Sequence, residues 1–114
     1  IECFKNSKVL GKLRTMVKSK GFNNRTRKLF RKSARDKGLK SLRYLLEPIE
    51  VGQRVDILLN SSIQDGRPHR RYNGKSGRVT EKRGQSYVID VKIGRAMKTI
   101  IARPEHLRVS KAQV

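Results

Sequence analysis

Tryptophan is absent, cysteine occurs once as Cys3, and acids are scarce, nine against 29 lysines and arginines. Each shortage closes a class of protein. A single cysteine cannot form an internal disulfide or a cysteine-based zinc site, and it fits a reducing compartment. No apolar run approaches the ~20 residues that a membrane-spanning helix needs. The basic segments offer no long apolar face, and no Trp, to settle in a lipid interface, so no membrane partner is expected. His69 and His106 stand far apart without cysteines or paired carboxylates nearby, so no metal is expected. No serine, histidine and acid form a nucleophile setting, so neither catalytic residues nor a cofactor is expected.

What the chain has is positive charge. Its 114 residues carry a formal +20, with a sequence pI near 11.2. Self-repulsion at that level opposes compaction, and a polyanion relieves it. Such a balance points to nucleic acid. Hydrophobic residues make up 35%, enough for one small core plus a tail.

The two halves differ. Residues 12–40 hold twelve Lys or Arg and one acid, Asp36. Gly21, Asn23 and Asn24 interrupt any helical period, and a short turn or helix over 26–34 would carry Leu29 and Phe30 as its sizeable apolar pair. The interleaved Phe22, Leu29 and Phe30 favour an RNA-anchored arm that folds on binding over a plain solubilising tail. Its candidate contacts are Lys18, Lys20, Phe22, Arg25, Arg27, Lys28, Arg31, Lys32 and Arg35.

Residues 41–48, "SLRYLLEP", predict a short helix capped by Ser41 and limited by Pro48, with Leu42, Leu45 and Leu46 available for packing. Beyond it the pattern becomes short strands and glycine turns. "RVDILL" alternates, with Val55, Ile57 and Leu59 on one face; "GRVTEK" turns Val79 inward; "SYVIDVKI" aligns Tyr87, Ile89, Val91 and Ile93; "MKTIIA" gives a fourth strand. An open meander would leave exposed edges, so a small barrel is expected.

The run "GRPHRRYNGKSGRV", 66–79, contains "GKS", the end of a phosphate loop. The first glycine of that loop belongs five residues before Gly74, where His69 stands, and the segment after Ser76 has strand period, not helical spacing. "GKSG" also matches the G-x-x-G loop of KH domains, but that loop joins two helices and strands flank this one. Gly66, Gly74 and Gly77 read better as turn glycines that let a basic loop approach a phosphate backbone. Lys75 and Arg78 then meet phosphates, Ser76 donates a hydrogen bond, and His69, beside Pro68, Arg70, Arg71 and Tyr72, contacts phosphate or base. His106 reads instead as part of a short turn capping the last strand, with Glu105 neutralising a nearby Arg.

This loop resembles the hallmark of the twenty-one family of large-subunit ribosomal proteins of archaea and eukaryotes, at Gly66, Pro68, His69, Gly74, Lys75 and Gly77. "IARPEHLR", 101–108, is similar to the closing motif of the archaeal version, at Arg103, Pro104, Glu105 and His106, while "SKGFNNRTRK" and "RDKGLKSL" look like its basic arm. The chain departs from the pattern at Arg67, Asn73 and the Asn23-Asn24 pair. The resemblance implies a mainly β fold, an SH3-like barrel with an extended or partly helical basic N-terminal arm. It implies a cytoplasmic structural constituent of the large ribosomal subunit, bound to ribosomal RNA and neighbouring ribosomal proteins near the central protuberance. Arg103 joins the expected RNA contacts on this basis, and one copy within the ribosome is expected in place of a homo-oligomer. The chain then divides into 1–15, an upstream extension before Met16; 16–40, the arm; and 41–114, the short helix and barrel. The alternative is a nucleic-acid-binding factor with a KOW-like barrel, associated transiently with the ribosome or the transcription machinery.

Overall fold

The computed structural model describes residues 18–38 and 41–111, apart from the side chain of Tyr44. The expected extension over 1–15 lies outside the described residues.

Five antiparallel strands make the body: β1 (Arg54–Ile57), β2 (Ser76–Arg83), β3 (Ser86–Ile93), β4 (Ala96–Ala102) and β5 (Leu107–Val109), in the order β4-β3-β2-β1-β5. The four expected strands are present with the expected faces inward. Val55, Ile57, Val79, Tyr87, Ile89, Val91, Ile100 and Ala102 are buried together, and Leu59 and Ile93 pack against them. β5 was not foreseen, because three residues are too few to show an alternation.

β4 and β5 are the two ends of the strand order, yet four residues, 103–106, connect them. Across a flat sheet those strands would lie about 19 Å apart, four gaps of roughly 4.8 Å. The five Cα steps from Ala102 to Leu107 span at most about 17 Å fully extended, and here they include a 3₁₀ turn, Pro104–His106. The sheet must therefore curl, bringing its two end strands closer together than a flat sheet allows. A shift of register between Val79 and Glu81, where β2 pairs with β3, supplies the local bend. Core residues from all five strands then share one cluster, as a barrel-like fold requires.

Gly77 differs from its expected role. It lies inside β2, opposite Val55 and Val91, and its φ is not positive. Its lack of a side chain matters for proximity, since a Cβ there would come within 2.6 Å of Ile89 Cγ2 and 2.7 Å of the Asp90 carbonyl oxygen.

The helix over 41–48 forms as a single turn, α1 (Arg43–Leu46). The Arg43 N–H donates to Ser41 Oγ at 3.3 Å, and Pro48 holds Glu47 extended, at ψ 115°. Its leucines do not pack as expected: Leu42 is 66% and Leu46 78% exposed, and only Leu45 is half-buried. One turn is too short to lay a continuous apolar stripe on the barrel. Ile49, just beyond it, enters the core instead, its N–H donating to the Tyr87 hydroxyl at 3.5 Å.

Candidate nucleic-acid interface

Residues 58–75 connect β1 to β2, and a connection this long must be held down to present fixed groups. Three anchors do so. The Gly74 N–H donates to the Ile57 carbonyl at 2.8 Å and the Ile57 N–H to the Lys75 carbonyl at 2.8 Å, closing the base of the loop. Asn73 Oδ1 accepts from the Leu59 N–H at 3.1 Å. His106, with no exposed surface, accepts at Nδ1 from the Asn60 N–H at 3.1 Å and faces the Asp65 carbonyl with Nε2 at 3.1 Å. An amide N–H can only donate, so Nδ1 is unprotonated and Nε2 carries the hydrogen given to Asp65. Burial holds the His106 pKa below its ordinary value, outweighing the raising effects of the Asp65 carbonyl and Glu105. His106 is thus a neutral pin joining the end of the sheet to the basic loop, a larger structural role than capping a strand.

At the loop's tip Gly66 and Gly74 hold positive φ, 61° and 77°. Between them Pro68 is buried and Arg70–Tyr72 form one 3₁₀ turn. His69 caps that turn, accepting at Nδ1 from the Arg71 N–H at 3.2 Å and from Arg71 Nε at 3.3 Å. Its Nε2–H is then the remaining donor. Desolvation and the neighbouring Arg71 and Arg70 guanidiniums lower its pKa. Tyr72 leans on the core. Lys75, Arg71 and Arg78 are exposed.

Ser76 and Arg103, both expected contacts, are engaged within the chain. Ser76 Oγ donates to Asp56 Oδ1 at 2.7 Å, which commits its one proton within the sheet. Arg103, also expected at the RNA, has its described partners inside the chain. It donates to Gln85 Oε1 at 2.8 Å and lies 3.6 Å from Asp65 Oδ2 and 3.8 Å from Glu105 Oε2, and its side chain crosses over Gly66. Arg103 ties the β2–β3 turn to the loop.

The arm is a chain of turns. The Asn24 N–H donates to the Gly21 carbonyl at 3.0 Å, and buried Thr26 donates through Oγ1 to the Asn23 carbonyl at 2.6 Å. A further turn comes next, with the Phe30 N–H donating to the Thr26 carbonyl at 2.9 Å. Lys18, Lys20, Arg25, Arg27, Lys28, Arg31 and Arg35 are exposed. Lys32 turns inward, its Nζ donating to Asn60 Oδ1 at 2.8 Å and to Ser62 Oγ at 2.5 Å. Phe22 meets the His69 ring edge-on at 5.3 Å, and Arg67 reaches Asn23 Oδ1 at 2.6 Å. The arm therefore lies against the 58–75 connection, and two basic segments distant in sequence share one region. Nothing local in the sequence signals that contact. Among the described residues no cluster of three or more His, Cys, Asp or Glu could hold a metal ion, and no helix is long and apolar enough to cross a membrane.

A small β-barrel with a basic arm laid beside its longest loop defines a class of strongly basic barrel-and-arm proteins. Sequence comparison makes the assignment specific. The family model for ribosomal protein L21e matches residues 16–112, so the chain belongs to that family. Relatives named large ribosomal subunit protein eL21 include those of Metallosphaera sedula, 50% identical over 99 residues, and Methanocorpusculum labreanum, 40% identical over 96. The first alignment covers 85% of this chain and all of the relative, the second 84% and 98%.

Proposed function

We propose that this chain is a structural constituent of the cytoplasmic large ribosomal subunit that binds and stabilises folded ribosomal RNA. The observation that carries the reading is the docking of the basic arm beside the 66–78 loop in a chain of formal charge +20. Lys and Arg on both segments release counterions from phosphates, and that release supplies most of the affinity. The exposed arm cations, His69–Arg71, Lys75 and Arg78 form the contact, while Lys32, Pro68, Tyr72, Ser76 and Arg103 hold its shape. Its partners are large-subunit ribosomal RNA and neighbouring ribosomal proteins near the central protuberance, with one copy per ribosome. Catalysis is not part of this function.

The test replaces Lys75 and Arg78 by Ala in the full chain and measures binding to deproteinised large-subunit ribosomal RNA over a salt series. If each side chain neutralises one phosphate, the log–log slope becomes shallower by about 0.7–0.9 per side chain. An unchanged affinity and slope removes these residues from the interface. Retention of the protein on large subunits through a high-salt wash distinguishes a resident component from a transient factor.

A further inference from the structure

Arg67 stands in the loop, yet its contacts run to the arm. Its guanidinium carbon lies 4.6 Å from the Phe30 ring centroid and 5.4 Å from that of Phe22. Its Nη2 donates to Asn23 Oδ1 at 2.6 Å, and its Nε is buried without a hydrogen-bond partner in the structure. An arginine held mainly by ring faces, with one amide acceptor, is placed for stacking and not for a phosphate. The two rings belong to different turns of the arm, 22–25 and 27–30, so one side chain fastens both. Lys32 adds a second attachment at Asn60 and Ser62. Arg25, at a positive φ of 59°, sits in the first of those turns, a conformation an arginine rarely keeps without support.

We infer that Arg67 is a positioning residue: clasped by Phe22, Phe30 and Asn23, it docks the basic arm on the barrel before any RNA arrives. The inference rests on the RNA-binding reading for its consequence, but the docking itself is a property of the free protein. The sequence alone suggests an arm that folds on binding. A pre-docked arm presents its cations in a fixed arrangement and has less conformational freedom to lose when it binds.

Hydrogen exchange on the RNA-free full chain tests the docking. The Asn24 and Phe30 amides, bonded to the Gly21 and Thr26 carbonyls, report on the arm, and the Val79 amide, bonded to the Gln53 carbonyl, reports on the barrel. Arg67→Leu and Phe30→Leu should both speed exchange at Asn24 and Phe30 and leave Val79 protected. Because Phe30→Leu removes no charge, it separates clasp from cation. Both variants should bind ribosomal RNA about ten-fold more weakly, the weight of one or two cation–π contacts, with an unchanged salt slope. The inference is overturned if the arm amides already exchange freely in the wild type. It is equally overturned if Arg67→Leu leaves them protected but shallows the slope by about 0.7–0.9, the mark of a direct phosphate contact. Should the wild type bind no RNA, the proposed function fails, while the exchange data still decide whether the clasp exists.

Discussion

His106 offers the most exacting test of the fold, because one side chain joins the end of the sheet to two points of the 58–75 loop. Replacing it with Ala removes an acceptor from the Asn60 N–H and a donor from the Asp65 carbonyl, and leaves a cavity where a fully buried ring stood. Two hydrogen bonds at about 1 kcal/mol each, with a cavity contribution of similar size, give a loss of about 3 kcal/mol. That is a large share of the roughly 5–15 kcal/mol by which domains are stable. The pH dependence comes from the same geometry. Burial lowers the native pKa below the unfolded value of about 6.5, so the unfolded chain binds the extra proton as pH falls. The stability is therefore complete above about pH 6.5 and declines below it, until the native ring also protonates. Urea unfolding followed by circular dichroism, from about pH 8 to pH 5, should show this decline in the wild type. His106→Gln, which cannot titrate, should start lower and run flatter. His69 is shifted in the same direction, so His69→Gln is the necessary companion, and it should keep most of the decline. A wild-type curve parallel to that of His106→Gln, or an Ala variant within about 0.5 kcal/mol of wild type, would refute the neutral-pin argument.

Two other substitutions separate tight packing from bare surface. Gly77→Val should cost more than about 3 kcal/mol or prevent folding, because its Cβ meets the Ile89 side chain and Asp90 backbone at under 3 Å; chemical denaturation measures it, and a stable, native-like variant would contradict the close approach. Leu46→Ser should change the stability of the free protein by less than about 0.5 kcal/mol in the same assay, since Leu46 is exposed, and a larger loss would mean that α1 packs after all.

Period-two alternation made β1 to β4 readable, because a strand with one buried face writes that face into every second residue. Helical spacing carries less at α1. Leu42, Leu45 and Leu46 do form an apolar spacing, but spacing records a stripe and not whether this chain covers it. Gly77 looked like a turn residue because a glycine's sequence neighbours do not reveal a facing strand. The burial of His106 was hidden for a related reason. Its partners, Asn60 and Asp65, are more than forty residues away, and a polar residue's satisfaction is visible only once the fold brings its partners together.

The candidate interface was legible as charge and illegible as geometry, and its aromatic residues show why that matters. A basic chain with interleaved phenylalanines suggests rings free to stack on bases. Here Phe22 and Phe30 are occupied by Arg67 and His69, Tyr87 is buried with its hydroxyl at the Ile49 amide, and Tyr72 rests on the core. Among the described residues, then, the groups most open to RNA are cations and backbone donors. Such groups read the position of phosphates and not the identity of bases. On the proposed function, recognition then depends on the shape of one folded RNA, and affinity should be steeply salt-dependent yet tolerant of base changes that preserve that shape. Binding to a set of compensated base-pair variants of the bound helix, at fixed salt, measures this directly. A loss of more than about ten-fold for a swap that keeps the helix intact would mean that a base edge is being read.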